Sequence, residues 1–221
     1  MIVQKTILLV LRSGGDFTFR DVELIVKHIN GQWKLTVKPR IICLWDKASQ
    51  SYNLGGVELF PLTNNWPKWW ARMQLYSPEM EQYRPFLYID LDTAVIGSLE
   101  KIFDLVEKYQ DKYITLEDFG QPGQLATGLA WIPAKSKKVS KIWEAWQQSM
   151  PTNSRMDYFL RKVIVQDLFW QDITNAIHDF KPRRLSLLKD LPEGCILVCF
   201  HGTPRIFDAA KRINWVNKYV K

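Results

Sequence analysis

Asp90 and Asp92 stand one residue apart at the end of an apolar run, Phe86-Leu87-Tyr88-Ile89. On an extended strand, side chains i and i+2 share a face, so the two carboxylates can converge where the strand leaves the core. Convergent carboxylates repel unless a cation lies between them, and hard divalent cations take oxygen ligands. The competing reading is a turn with two solvated aspartates, and the apolar residues on both sides weigh against it. His201 is the next candidate. Ile196-Leu197-Val198-Cys199-Phe200 reads as a strand core that delivers His201 and Gly202 to its end. Neutral imidazole there can act as a third metal ligand. Gly202 allows close backbone approach, and Arg205 can grip phosphate. Alone, a strand-end histidine is more often structural, so its weight depends on pairing with the aspartates. Trp66-Pro67-Lys68-Trp69-Trp70-Ala71-Arg72-Met73 is both aromatic and basic. Arg72 can reach a diphosphate from it, while Trp69, Trp70 and Met73 suit a packing face.

These side chains need elements to position them. Lys5–Leu11 reads as a buried strand closed by Ser13-Gly14-Gly15-Asp16. A helical pattern follows over Phe17–Ile29, with Asn30-Gly31 as its end. Strands are expected over Arg40–Trp45, Val57–Phe60 and Pro85–Asp90, with a helix start at Pro67–Tyr76 and a helix over Leu99–Tyr109. This alternation argues for an α/β fold with a largely parallel sheet, which binds ligands at the carboxyl ends of its strands. Asp90, Asp92 and Arg12-Ser13-Gly14-Gly15 are all at such ends. Further on, Tyr113–Leu116, Gly128–Ile132 and Cys195–His201 read as strands. Lys135–Gln148, Met156–Ile177 and the tail from Ile206 read as helical.

With 221 residues, 47% of them hydrophobic, the chain can bury a substantial core as one compact unit. Cys43, Cys195 and Cys199 lack CxxC spacing, which suits buried thiols in a reducing compartment. The apolar run Thr6–Leu11 is too short for a signal-peptide core or a membrane span, so the expectation is a cytoplasmic protein. The net charge is +7; residues 1–133 hold 14 basic and 15 acidic side chains, and residues 134–221 hold 16 and 8. The excess thus lies in the C-terminal part, which suits an anionic ligand, a peripheral membrane contact or nucleic acid. A solvated basic surface explains it equally well.

Three blocks carry a family resemblance. Trp69-Trp70-Ala71-Arg72 through Ser77-Pro78-Glu79, then Leu87 to Thr93, then Gly97-Ser98-Leu99 resembles the central block of the GT-A glycosyltransferases related to glycogenin and the lipopolysaccharide galactosyltransferases. Leu11-Arg12-Ser13-Gly14-Gly15-Asp16 resembles their first-strand nucleotide loop, and Phe200-His201-Gly202-Thr203-Pro204-Arg205 their C-terminal His-Gly-x-Pro-Lys/Arg motif. The resemblance spans nearly the whole chain in the right order. It implies a single GT-A, Rossmann-like α/β domain with a mixed, mostly parallel central sheet flanked by helices. Residues 1–111 would be its nucleotide-binding half and 112–221 its acceptor and sugar half.

The resemblance also implies roles. Asp90, Asp92 and His201 would hold Mn²⁺ or Mg²⁺, which would in turn hold the diphosphate of a nucleotide sugar, most often a UDP-sugar. Arg72 and Arg205 would add positive charge to that diphosphate. Val10, Leu11 and Arg12 would hold the nucleoside, with Leu91 and Gly202 completing the donor-binding set. Gln166-Asp167 is the nearest match to an Asp-Gln pair beside the sugar, in reversed order. Ala126-Thr127-Gly128 stands where an Asn-x-Gly segment often lines the sugar site, and Asp118 could touch sugar or acceptor. The reaction would move a sugar, with retention, to a hydroxyl of a glycan, lipid-linked or protein acceptor, anionic if it meets the basic part.

Two rivals use the same residues. A haloacid-dehalogenase-type phosphatase would make Asp90 a nucleophile and Asp92 a general acid. It usually carries that motif on the first strand, and it gives His201 no role. A nucleic-acid or anionic-surface binding module would use the basic part with Trp143, Trp146, Trp170 and Trp215. No nucleic-acid motif is present, and none is expected as partner.

Overall fold

β1 (Thr6–Leu11) is buried along its whole length. Ile7, Leu9 and Leu11 join one core cluster, and Leu8 and Val10 another. A strand apolar on both faces belongs inside a sheet covered on both sides. The structure, a computed structural model, describes residues 4–48, 55–150, 154–181 and 187–221. β1 lies parallel between β2 (Arg40–Trp45) and β4 (Phe86–Ile89), and β3 (Val57–Pro61) lies parallel outside β2. Beyond β4, β7 (Leu125–Ile132) runs antiparallel to both β4 and β6 (Ile114–Glu117). β8 (Leu168–Phe169) pairs parallel with β6 at the edge. The sheet is therefore mixed and mostly parallel, in the order β3-β2-β1-β4-β7-β6-β8. Both sequence halves contribute strands to it. α1 (Phe19–Gln32) and α2 (Glu100–Val106) cover one face. A 3₁₀ helix over Lys68–Tyr76, α3 (Lys137–Ser149) and α4 (Met156–Val163) cover the other.

A second sheet carries the far side of the site. β5 (Thr93–Val95) runs antiparallel to β10 (Leu197–Cys199), which pairs parallel with β9 (Ile177–Asp179). Cys199 faces Thr93 in that ladder, and the Phe200 N–H donates to the Asp92 carbonyl at 2.7 Å. This register sets His201 beside the aspartate pair although 109 residues separate His201 from Asp92. After α6 (Ile206–Ala209), α7 (Asn214–Val220) folds back onto the opening half of the chain. The ring of Tyr219 stacks on His28 of α1 with centroids 3.8 Å apart, and its hydroxyl accepts the Val95 N–H at 3.0 Å.

Three of the differences between expected and observed element boundaries have a physical reason in the contacts. α1 runs through Asn30-Gly31 and stops only at buried Trp33, whose N–H caps the Ile29 carbonyl. Residues 156–177 are not one helical stretch. After α4 the β-branched run Val163-Ile164-Val165 disfavours helix. Asp167 then exchanges bonds with Tyr113 through both its carboxylate and its N–H, which fixes β8 against β6. Only the short α5 (Trp170–Ile173) follows before β9. The expected strand over Cys195–His201 narrows to β10, because the Ile196 N–H turns to the Ala176 carbonyl and that of Phe200 to Asp92. Cys43, Cys195 and Cys199 are buried free thiols, and burial pushes the pKa of each up. Among the described residues no helix is long and apolar enough to cross a membrane.

Candidate active site

Parallel strands β1, β2, β3 and β4 end at one edge of the main sheet, and a cavity of about 420 Å³ opens there. Four segments line it. The end of β1 and its following loop give Val10, Arg12, Gly14, Gly15, Asp16 and Phe17; the 3₁₀ helix gives Lys68, Trp69 and Arg72. Asp90 and Asp92 come from the end of β4, and His201, Gly202 and Arg205 from the loop after β10. The turn that returns the chain from β1 needs Gly14 at φ 77°, and the one after His201 needs Gly202 at φ 62°, where other residues are strained.

The aspartates do not face the cavity unaccompanied. Asp90 Oδ2 lies 2.8 Å from Arg72, and its Oδ1 accepts the Tyr88 hydroxyl at 3.2 Å and the Leu91 N–H at 3.1 Å. Asp92 Oδ2 lies 2.8 Å from Arg205, whose other terminal nitrogen holds Asp16 at 2.6 Å. The Arg205 guanidinium also covers the Phe17 ring at 4.7 Å. Burial works against the charge on Arg72, but Asp90, Tyr88 and Asp157 outweigh it and keep the guanidinium protonated. Burial first, and the like charge of Asp90 second, push the Asp92 carboxyl well above its ordinary range, against the pull of Arg205. Burial lowers the pKa of His201, which keeps its imidazole neutral at pH 7; Asp179 at 3.7 Å pulls the other way.

His201 also forms a partition. On its other side a second cavity of about 320 Å³ is lined by Asp118, Phe119, Gly120, Asp179, Lys181 and Thr203. Lys181 donates to the Thr203 carbonyl at 3.1 Å, and the Phe119 ring sits 5.4 Å from that of His201. Asp118 is held by Arg161 at 2.6 Å and accepts the Gly120 N–H at 2.8 Å.

Eight of the residues picked from sequence therefore share the first cavity: Val10, Arg12, Arg72, Asp90, Asp92, His201, Gly202 and Arg205. The side chains of Leu11 and Leu91 are each 1% exposed and belong to the core, so only their main chain is available to a ligand. Asp118 lies in the second cavity. Gln166 and Asp167 do not reach either one. β8 runs parallel to β6, so residues preceding it sit at the opposite end of the sheet, where Asp167 binds the Tyr113 N–H and Lys138. The glutamine at the cavity end is Gln171, which bonds the Glu117 main chain in both directions at 2.9 Å. Thr127 points to α4, its hydroxyl 2.5 Å from Asp157. Of the aromatic basic segment, Trp70 and Met73 are core residues as expected, but Trp69 is 41% exposed on the cavity wall. Lys68, Phe17, Asp179 and Lys181 were given no role from sequence, and Asp16 was named only as part of the loop after the first strand. Their placement depends on the packing of loops, which has no period to read.

No protein-family model and no curated protein sequence matches the chain. Solved structures match it by shape. The galactosyltransferase LgtC, in complex with donor and acceptor sugar analogs, superposes with a TM-score of 0.64 over 97% of this chain and 93% of that one, at 12% identity. The chain has the GT-A glycosyltransferase fold. The glycosyltransferase GlyE of Streptococcus pneumoniae TIGR4 gives a TM-score of 0.66 at 14% identity; 98% of this chain matches 60% of that one, so the chain spans well under two thirds of GlyE. Mouse xyloside xylosyltransferase 1 gives 0.55 at 8% identity, over 91% of this chain and 98% of that one. The GT-A sheet order explains why Asp90 sits at the fourth strand in sequence rather than the first, the position a haloacid-dehalogenase motif takes. The nucleic-acid reading fares no better, because Trp146 and Trp170 are fully buried and Trp143 and Trp215 pack against core clusters.

Proposed function

We propose that this protein transfers a sugar from a nucleotide diphosphate sugar, a UDP-sugar first among them, to an acceptor hydroxyl with retention of configuration. What carries the reading is the convergence of Arg72, Arg205, Asp90, Asp92 and His201 on one cavity at the strand ends of a GT-A fold. Arg12 adds a further cation to its wall. A diphosphate brings charge that these cations match, and guanidinium groups bind phosphate oxygens through paired N–H donors. Val10 and the loop after β1 form the end of the cavity suited to the nucleoside.

The residues fit a divalent ion by their chemistry. His201 Nε2 is buried without a hydrogen-bond partner, and Asp92 is destabilised by burial and by Asp90. An oxygen–oxygen–nitrogen set of this kind suits Mn²⁺ or Mg²⁺. Among the described residues no three such side chains stand together as a ready cage, since both aspartates are engaged by arginines. Asp90, Asp92 and His201 would hold the ion, which when bound supplies Lewis-acid stabilisation of the leaving diphosphate. Arg72 and Arg205 neutralise charge at the same oxygens. Burial of Asp92 and of His201 Nε2 limits water beside the bond to be broken.

The test is incubation with Mn²⁺ and a panel of nucleotide sugars, following release of nucleotide diphosphate. Release that depends on both acceptor and metal supports the reading. Phosphate released from a phosphomonoester, with no turnover of any nucleotide sugar, overturns it.

A further inference from the structure

Lys68 opens its 3₁₀ helix in a left-handed conformation, φ 51°, which residues other than glycine avoid. Strain of this kind is kept where the surroundings hold a side chain for use. Here it places the ammonium over the ring of the next residue, 5.6 Å from the centroid of Trp69, on the wall of the first cavity. Every Asp and Glu of the chain lies among the described residues, and none forms an ion pair with Lys68. The other cavity cations differ. Arg12 is paired with Asp46, Arg72 with Asp90, and Arg205 with Asp16 and Asp92. Trp69 commits its indole N–H to the Ser154 carbonyl at 3.4 Å, so what it offers to a ligand is its ring.

An exposed indole beside an unpaired ammonium suits a pyranose that bears a negative group. The C–H face of the sugar packs on the ring, and the charge meets the lysine. A nucleobase would stack equally well but brings no charge for Lys68, and a bare phosphate has no use for the indole. We propose that Lys68 and Trp69 form a subsite for an anionic sugar ring of the acceptor, carrying a carboxylate or a phosphate. The proposal rests on the glycosyltransferase reading above and adds the chemical class of the acceptor.

The experiment titrates the whole protein with methyl β-glucuronide, glucose 6-phosphate and methyl β-glucoside, by saturation-transfer NMR in the presence of Mn²⁺ and UDP. Binding of UDP and of the other nucleoside diphosphates to the wild type is measured alongside by calorimetry. The charged rings should bind roughly fivefold tighter than the neutral one, the range a partly exposed ion pair supplies. Lys68→Asn should abolish that preference, since asparagine tolerates the left-handed backbone and keeps the turn. Trp69→Ala should weaken all three ligands. A loss with either charged ring supports the subsite, and the larger loss names the substituent. If a nucleoside diphosphate binds while the charged rings gain nothing over the glucoside, or Lys68→Asn keeps the preference, the subsite is overturned and the glycosyltransferase reading stands. If UDP and the other nucleoside diphosphates all fail to bind the wild type, that underlying reading has failed and takes the acceptor assignment with it.

Discussion

The two arginine–aspartate pairs of the cavity are built differently. Arg72 and Asp90 lie 18 residues apart, their side chains 13% and 20% exposed, and they belong to one continuous wall of helix and strand. Arg205 and Asp92 lie 113 residues apart, and Arg205 is 27% exposed. Arg205 also grips Asp16, so it ties the loop after β1, the aspartate pair and the loop after β10 in one place. The first pair is part of the foundation, and the second is a strut between segments. Under the proposed function an incoming diphosphate would meet one guanidinium locked in position and another that can trade the solvated carboxylate of Asp16 for phosphate.

The largest effect should come from the aspartate that both halves share. Asp92→Asn should lower sugar-nucleotide turnover by ~100-fold or more, the range for removing a charge from a transition-state site. Circular dichroism should show the fold kept; turnover within tenfold of wild type would dissolve the distinction between the pairs. Next, stability should separate foundation from strut. Arg72→Met removes the less exposed guanidinium and leaves the half-buried Asp90 without it, which should cost ~3 kcal/mol in urea denaturation, as removing one partner of a largely buried pair does. Arg205→Met should cost less, ~1 kcal/mol, because Arg205 is the more exposed of the two guanidinium groups and the Asp92 it leaves, raised by burial, can take up a proton. Equal costs would mean that Arg205 is as structural as Arg72.

A smaller contrast extends the comparison to the far edge of the sheet. Gln171→Ala breaks both bonds to the Glu117 main chain and should cost ~1–2 kcal/mol, each bond contributing about 1. Gln166→Ala should stay within ~0.5 kcal/mol of wild type, as surface substitutions do. The smallest effect is a pH dependence at the partition. The pKa of folded His201 is depressed below its ordinary value of 6.5, so the unfolded chain binds more protons in the window below 6.5. The stability that neutral His201 contributes is present above that pH and is lost as pH falls. Thermal melts of wild type and His201→Gln should draw together on acidification from pH 7 to 5, and curves that stay parallel would refute the shift.

What the chain shows without its fold follows the same division. β1, β2 and β4 announce themselves because parallel strands buried on both faces must be continuous apolar runs, and the polar residue that ends each run marks the edge where ligands bind. Asp90, Asp92 and Arg12 were placed at that edge that way, while His201 follows β10 of the second sheet. Gln166-Asp167 failed for a physical reason. A two-residue strand, β8, has too few side chains to show a period, so nothing in the pattern told which end of the sheet its flanks would reach. Asp16 and Lys68 stand in segments the sequence displays, but what they face was not legible, because it depends on a loop and on a left-handed turn, and for Asp16 on a partner more than a hundred residues away.

The stacking of Tyr219 on His28 and its bond to Val95 carry a consequence for how the protein is made. Val95 closes the short strand that starts one residue after Asp92, and its N–H finds its acceptor only near residue 219. His201 and Arg205 also enter the ribosome late. A nascent chain can complete the parallel strands β1, β2, β3 and β4 at ~5–20 residues per second and still have no cavity, because one wall and its brace are untranslated. Until then Asp90 has Arg72 but Asp92 lacks Arg205, so the newly made chain would pass through a stretch of synthesis as an incomplete sheet whose rim carries a carboxylate without its partner.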